Sequence, residues 1–150
     1  MKITAKARYG LRILLDIALF ERTDHPRTIH EISVSQGISE KFISRLVVPL
    51  RAKGMIRSVR GKQGGFRLAR APEDITLLDV LEALEGEVSV VDCVTCEDAC
   101  ERAVTCAARS VWLDVNEAVK QALRSLTLVA AIERHRGGGT VPAAVSEYFI

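Results

Sequence analysis

The residues best suited to chemistry in this chain are its four cysteines, which lie in one short segment: Cys93, Cys96, Cys100 and Cys106. Thiolates this close in sequence can converge on an iron–sulfur cluster or on zinc, since both accept soft sulfur ligands. Only Cys93 and Cys96 form a CxxC pair, whereas a structural zinc usually joins two such pairs, so the spacing favours iron–sulfur over zinc. Reduced thiols filling a small core are a third alternative, but the acidic neighbours Glu97, Asp98 and Glu101 argue against it.

Charge divides the chain into two unlike halves. Residues 1–70 contain 15 Lys and Arg against 5 Asp and Glu, whereas residues 71–150 contain 6 against 14. The net charges of +10 and −8 leave only +2 for the whole chain of 150 residues. A strongly basic half predicts a surface for a polyanion such as nucleic acid.

The compartment follows from what the N-terminal region lacks. Its apolar stretch, residues 9–20, is interrupted by Arg12 and Asp16 and is too short to span a bilayer. It also shows no secretory leader pattern. We therefore expect a cytoplasmic protein without a membrane partner, in which metal binding or thiol chemistry is favoured over disulfides.

The basic half is predicted to contain the secondary-structure elements that would bind a polyanion. Apolar residues at helical spacing indicate an amphipathic helix over residues 5–21. Thr28 and Glu31 form a capping box that begins a second helix, Gly37 suits a tight turn, and Ser39 can cap a third helix. This order predicts a helix-turn-helix.

The third helix carries the candidate base-reading residues, because the second helix of a helix-turn-helix fits the DNA major groove. Its predicted buried stripe consists of Phe42, Leu46, Val47 and Leu50. The side chains left facing outward are Lys41, Ser44 and Arg45. Arg45 could donate two parallel hydrogen bonds to guanine, whereas Lys41 is better suited to a phosphate.

A hairpin with a basic tip follows this helix. Two short apolar runs, residues 55–59 and 66–68, flank a Gly-rich loop that begins Arg60, Gly61, Lys62. A guanidinium on such a loop could enter a minor groove or follow the DNA backbone. No strand is followed by a loop with GKS or GKT, which argues against a nucleotide-binding site.

The acidic half is predicted to contain two more helices, one capped by Thr76 and ended by Gly86, and a long one over residues 109–126. The apolar stripe on the long helix is wide, and Trp112 widens it further. Such a face needs a partner, and a two-fold homodimer supplies one economically. The alternative is packing against the chain's own N-terminal helices.

These elements predict a mainly α fold with a small β-wing, that is, a winged helix-turn-helix plus a long C-terminal dimerisation helix. The predicted division is a DNA-binding domain (1–86), a cysteine-rich sensor loop (87–108), a dimerisation helix region (109–136) and a C-terminal tail (137–150).

Several stretches of the sequence resemble the Rrf2 family of winged-helix regulators. They are MKITAKARYGLRILLDIAL, QGISEKFISRLVVPLRAKGMIRSVRGKQGGFRLAR, ITLLDVLEALEG, CEDACERAVTCAARSVW and SLTL. The resemblance covers about residues 1–132 and includes both halves in order.

The resemblance implies a homodimer with crossing long helices that binds a near-palindromic operator in double-stranded DNA. It implies that Arg60 and Gly61 enter the minor groove. It also implies that Cys93, Cys100 and Cys106 hold a [2Fe-2S] or [4Fe-4S] cluster whose state changes DNA affinity.

Three positions depart from the family pattern. Arg109 stands where the iron–sulfur branch has a histidine ligand, and Arg8 stands where the nitric-oxide branch has an aspartate ligand. Cys96 is the obvious substitute as fourth ligand, or it reacts as a free thiol. Ser44 replaces a base-reading glutamate of the iron–sulfur branch, so that branch's operator sequence cannot be transferred.

The combined hypothesis is a regulator, not an enzyme, that senses iron–sulfur status, nitric oxide or redox state through its cysteines. One alternative is a small thiol-redox or electron-transfer protein whose basic half docks an acidic partner. Another is a DNA-binding regulator with a structural zinc or no metal.

Overall fold

The computed structural model describes residues 3–20, 25–61 and 63–137. Within them it contains six α-helices and one two-stranded antiparallel sheet. The elements are α1 (Ala5–Leu19), α2 (Ile29–Gln36), α3 (Glu40–Ala52), β1 (Ile56–Val59), β2 (Gly65–Leu68), α4 (Leu77–Glu85), α5 (Ala107–Ser125) and α6 (Leu128–Arg136). Short 3-10 turns lie at Pro72–Asp74, Asp92–Val94 and Glu97–Ala99. The predicted architecture, mainly helical with a small β-hairpin and a long late helix, is confirmed.

Side-chain caps define where the helices begin. A hydroxyl oxygen accepts a hydrogen bond from a backbone amide of the first turn in each case, at Thr4, Thr28, Ser39, Thr76 and Thr127. Thr28 with Glu31, and Thr76 with Asp79, form full capping boxes. Because each cap satisfies an amide that has no partner inside the helix, these helix starts are encoded locally.

The core lies where α1 meets α2, α3 and the hairpin. Ile13, Leu14 and Ile17 of α1 are fully buried there. On α3, Ile43 is fully buried, while Phe42 is half-buried and packs edge-on against Tyr9. The predicted stripe of Phe42, Leu46, Val47 and Leu50 packs in or against the main core, and the fully buried Ile43 is a further member of this face that the sequence analysis left out.

The long helix predicted over residues 109–126 corresponds to α5, and the sequence analysis did not predict the separate helix α6 that follows it. α5 ends at Ser125, Leu126 adopts an extended backbone, and Thr127 caps α6. The extended junction pairs with the chain before α4, since the Leu77 amide donates to the Leu126 carbonyl at 2.8 Å and the Leu128 amide donates to the Ile75 carbonyl at 2.8 Å.

α6 then packs back onto α1, with Leu128 and Ile132 buried in the main core. The sequence analysis considered packing against the N-terminal helices as an alternative for the long helix. In the structure, α6 packs in this way. Of the predicted tail, only Gly137 is described, and residues 138–150 lie outside the described part of the chain. The division of the chain at residues 86, 108 and 136 stays a prediction.

Candidate nucleic-acid interface and cysteine segment

The turn before α3 sets the direction of that helix. Gly37 ends α2 with a positive φ of 63°, a left-handed conformation that disfavours residues with a Cβ. The Ser33 hydroxyl donates to the Ile38 carbonyl, and the Ser39 hydroxyl accepts from the Phe42 amide. Local hydrogen bonds therefore fix α3 relative to α2.

The outward face of α3 carries the three predicted reading residues. Lys41, Ser44 and Arg45 are all exposed. Among the described residues, the side chains of Lys41 and Arg45 have no hydrogen-bond or ion-pair partner, so both cations are available to an external anion. The Ser44 hydroxyl donates to the Glu40 carbonyl at 2.8 Å, so it would contact a base mainly as an acceptor.

The hairpin of β1, β2 and residues 60–64, called here the wing, follows α3 directly. Ile56 lies opposite Leu68 and Val59 lies opposite Gly65. Arg60 and Gly61 at the tip are exposed, and the Arg60 side chain has no hydrogen bond or ion pair with the described residues. The third predicted tip residue, Lys62, falls outside the residues that the structure describes.

A buried polar network, which the sequence analysis missed, holds the base of the wing. Asp16 of α1 is only 2% exposed, and its carboxylate accepts a hydrogen bond from the Nε of Arg27 at 2.7 Å. The main chain of Arg27 also pairs with Phe66 of β2. A signal was present in the sequence: Asp16 interrupts an apolar helical stripe, and a buried carboxylate requires a partner.

Glu31 has a pKa below its ordinary value. The main cause is the hydrogen bond that the Thr28 amide donates to its carboxylate, at 2.8 Å, and the Thr28 hydroxyl and nearby Arg27 lower the pKa further. Burial opposes these effects. The ionised carboxylate therefore stabilises the start of α2, as expected for a capping box.

The cysteines lie on successive short turns between α4 and α5. Cys93 and Cys106 are half-buried, Cys96 and Cys100 are exposed, and none of the four is in a disulfide. Cys93 belongs to the 3-10 turn Asp92–Val94, and Cys106 is the residue immediately before α5. The segment is thus attached directly to the long helix.

Two hydrogen bonds join this segment to α5. The Nε of Arg109 donates to the carbonyl of Cys93 at 2.8 Å. Further along the helix, the side-chain carbonyl of Asn116, a residue only 8% exposed, accepts from the Val90 amide at 3.0 Å. These bonds connect residues 90–93 with the N-terminal half of α5.

The thiols are not grouped as a metal site in this conformation. Over the described stretches of chain, no three side chains from His, Cys, Asp or Glu lie close enough together to hold a metal ion. The donor set itself suits a thiophilic centre, since all four cysteines carry free thiols. The four thiols are therefore chemically suited to ligate such a centre. To do so, the segment would have to bring them closer together than they are in this conformation.

α5 exposes large apolar side chains that the described part of the chain leaves uncovered. Val111 is 59% exposed, Trp112 44%, Leu113 41% and Val115 38%, whereas Leu123 near the other end is buried. Large side chains exposed together on one helix are typical of a protein–protein interface. No helix in the described part of the chain is both long and apolar enough to cross a membrane.

An exposed cationic helix after a tight turn, followed by an antiparallel hairpin, defines a winged-helix DNA-binding protein. The Rrf2 family model, described as an iron-dependent transcriptional regulator, matches residues 3–134. The chain belongs to the Rrf2 family of transcriptional regulators.

Individual relatives agree with this assignment. The chain is 39% identical over 128 residues to protein rrf2 of Nitratidesulfovibrio vulgaris, covering 85% of both chains. It is 36% identical over 128 residues to the transcriptional regulator CymR of Bacillus subtilis, covering 85% of this chain and 87% of CymR. CymR is named as a helix-turn-helix transcriptional regulator, in agreement with the family.

Solved structures show the same architecture. The structure of CymR, the global cysteine regulator of B. subtilis, gives a TM-score of 0.72 at 35% identity, covering 89% of this chain and 97% of CymR. T. potens IscR also gives 0.72, at 28% identity, covering 97% of this chain and 96% of IscR.

Proposed function

We propose that this regulator works in the cytoplasm as a homodimer on a near-palindromic operator in double-stranded DNA. Lys41, Ser44 and Arg45 of α3 contact the major groove. The wing tip, Arg60, Gly61 and Lys62, contacts the minor groove. The unpartnered cations of α3 and the tip support this role, because phosphate oxygens and the acceptor edge of guanine both attract them.

We infer that Cys93, Cys100, Cys106 and Cys96 hold an iron–sulfur cluster, [2Fe-2S] or [4Fe-4S]. The closeness of the four free thiols in sequence supports this set, and the guanidinium of Arg109, which donates through Nε to the Cys93 carbonyl, is a donor-only group that cannot serve as the fourth ligand. When bound, such a cluster would supply a centre that responds to redox state, nitric oxide or iron supply.

The observation that carries this proposal is that one element, α5, joins the cysteines to the dimer surface. It begins directly after Cys106, bonds to Cys93 through Arg109, and exposes its apolar face over residues 111–115. If two such faces pack together, a rearrangement of the cysteine segment shifts α5 and changes the spacing of the two α3 helices. DNA affinity then depends on a population shift between two dimer geometries.

The sensing proposal is tested by anaerobic purification with iron and sulfide counts and a visible spectrum. We expect bound iron and sulfide in the wild-type chain and their loss in Cys100→Ala. Thr105→Ala, a change to an exposed neighbour that is not a thiol, is the matched control and should keep both. Bound zinc without sulfide would show that the cysteines hold a structural metal and not a cluster. Identical spectra for wild type and Cys100→Ala would refute the ligand set.

DNA reading is tested with a duplex that the wild-type chain selects from a randomised pool. Arg45→Ala should weaken binding to it by about tenfold or more, the scale of one lost guanine contact, with less effect on unselected DNA. Lys41→Ala should weaken binding to both duplexes and reduce the salt slope by about 1. Arg136→Ala removes the same charge far from α3 and should bind as wild type. Equal affinities for all four chains would reject this interface.

A further inference from the structure

Arg27 connects the wing to the body of the protein through both its main chain and its side chain. Its amide donates to the Phe66 carbonyl at 3.0 Å, and its carbonyl accepts from the Phe66 amide at 2.8 Å. The residue thus adds a third, one-residue strand to the hairpin. Its side chain leaves this pairing to enter the core, where it is only 12% exposed and stacks on the Phe20 ring at 3.8 Å.

The side chain of Arg27 ends on a carboxylate that also holds the end of α2. One oxygen of Asp16 accepts from Arg27 Nε at 2.7 Å. The other accepts from the Ser35 hydroxyl and, at 2.8 Å, from the Gln36 side-chain amide. Ser35 and Gln36 directly precede the Gly37 turn into α3. One buried carboxylate therefore ties the anchor of the wing to the turn that aims the recognition helix.

Gly65 allows the wing to approach this anchor. A Cβ built on Gly65 would lie 2.6 Å from the Arg27 carbonyl oxygen and 2.8 Å from its carbonyl carbon. Both are backbone atoms of the paired segment, so a side chain at this position would push the hairpin away from Arg27. The close approach therefore requires glycine at the first residue of β2.

We propose that Asp16 and Arg27 are positioning residues that set the location of the wing tip relative to α3. Both side chains are largely buried, Asp16 at 2% and Arg27 at 12% exposed, so they act through the residues that they hold. They hold Arg60 at a distance from Arg45 that lets Arg45 contact the major groove and Arg60 the minor groove of the same duplex. This inference rests on the proposed function, because it assumes that Arg60 and Arg45 both contact the operator.

The test is a set of double-mutant cycles on affinity for the selected duplex, with Gly65→Ala as the displacing variant. Arg60→Ala should cost about tenfold in the wild-type chain but less than about twofold in Gly65→Ala, because the tip no longer reaches its groove. Arg45→Ala should cost the same factor in both backgrounds. A merely structural role would reduce both effects together, so equal costs for Arg60→Ala in the two backgrounds would overturn the proposal.

The buried pair is tested with a variant that keeps the hydrogen bond but removes both charges, Asp16→Asn with Arg27→Gln. This avoids the uncompensated charge that a single substitution would leave and that could unfold the chain. The pair variant should resemble Gly65→Ala in its cycle with Arg60→Ala. Ser125→Ala, which removes an exposed hydroxyl that donates to the Ala122 carbonyl of its own helix, is the matched control and should leave the cost of Arg60→Ala at its wild-type value.

Hydrogen exchange at the Phe66 amide measures the anchor without DNA. This amide should exchange faster in Gly65→Ala and in the pair variant, while core amides of α1 stay protected. Unchanged exchange at Phe66 would overturn the positioning role even if DNA binding were affected. The proposed function fails in a different way, through loss of any effect of Arg45→Ala and Arg60→Ala in the wild-type background.

Discussion

The guanidinium of Arg109, in the first turn of α5, donates through Nε to the main-chain carbonyl of Cys93 across 2.8 Å. This bond joins the first cysteine of the segment to the helix that begins after the last one. The two ends of the cysteine segment are therefore directly bonded to each other through α5. Through this contact, Arg109 connects the cysteine segment with α5, the helix whose apolar side chains are exposed.

Removing this bond should loosen the turn around Cys93. In Arg109→Ala, the Cys96 amide, which donates to the Asp92 carbonyl at 3.0 Å, should exchange with solvent about fivefold faster, corresponding to about 1 kcal/mol for one hydrogen bond. Arg102→Ala removes the same charge from an exposed side chain of the segment. Exchange at Cys96 that is equally fast in both variants would mean that charge, not the bond, governs the turn.

The uncovered face of α5 predicts how the oligomeric state responds to charge. Trp112→Glu should convert the proposed dimer into a monomer, because a carboxylate in an apolar interface loses its hydration without gaining a partner. Sedimentation equilibrium measures the change. Val34→Glu, at a 71% exposed valine on α2, is the matched control and should remain dimeric. A wild-type chain that is monomeric at all concentrations tested would contradict the interface.

The turn between α2 and α3 predicts a stability order at Gly37. Gly37→Ala should lower the free energy of unfolding by about 1 kcal/mol, since the residue has a φ of 63° and a Cβ is disfavoured there. Gly37→Asn should cost less, because asparagine tolerates this conformation. Nothing lies within 4 Å of the added Cβ, so the cost comes from backbone strain. Urea unfolding measures both variants, and equal losses for Ala and Asn would exclude strain as the cause.

The lowered pKa of Glu31 predicts a dependence of stability on pH. Because the folded-state pKa lies below the ordinary value of 4.5, the ionised carboxylate stabilises the fold above that pH. This contribution is lost as the pH falls through the lowered pKa. Glu31→Gln should therefore show a shallower fall in the free energy of unfolding as the pH drops below 4.5.

The control for this prediction is Glu73→Gln, which changes an exposed glutamate whose side chain makes no hydrogen bond within the described residues. Urea unfolding at a series of pH values on both sides of 4.5 compares the three chains. If Glu31→Gln and wild type lose stability in parallel, the capping-box carboxylate is not the source of the acid sensitivity.

Much of the fold was predictable because its signals are local. Thr28 with Glu31, Gly37 and Ser39 define the helix-turn-helix within a few residues, and each acts through a hydrogen bond or a backbone angle close in sequence. The wing was predictable for the same reason, since its strands are separated by only a short glycine-containing loop. The exposure of Lys41, Ser44 and Arg45 on α3 followed from helical spacing, although that spacing did not identify Ile43 as a core residue beside Phe42.

Only the tertiary structure decided where distant segments meet. The break at Leu126 depends on pairing with residues near Thr76, and the partnership of Asp16 with Arg27 depends on how α1 packs beside the wing. The sequence by itself determined which residues are helical, basic or thiol-bearing, because those properties belong to single residues and short periods. The pairing of the buried charge at Asp16 and the exposure of apolar side chains on α5 depend on long-range packing. A local sequence pattern contains no information on the geometry of that packing or on the entropic cost of closing the chain between distant segments.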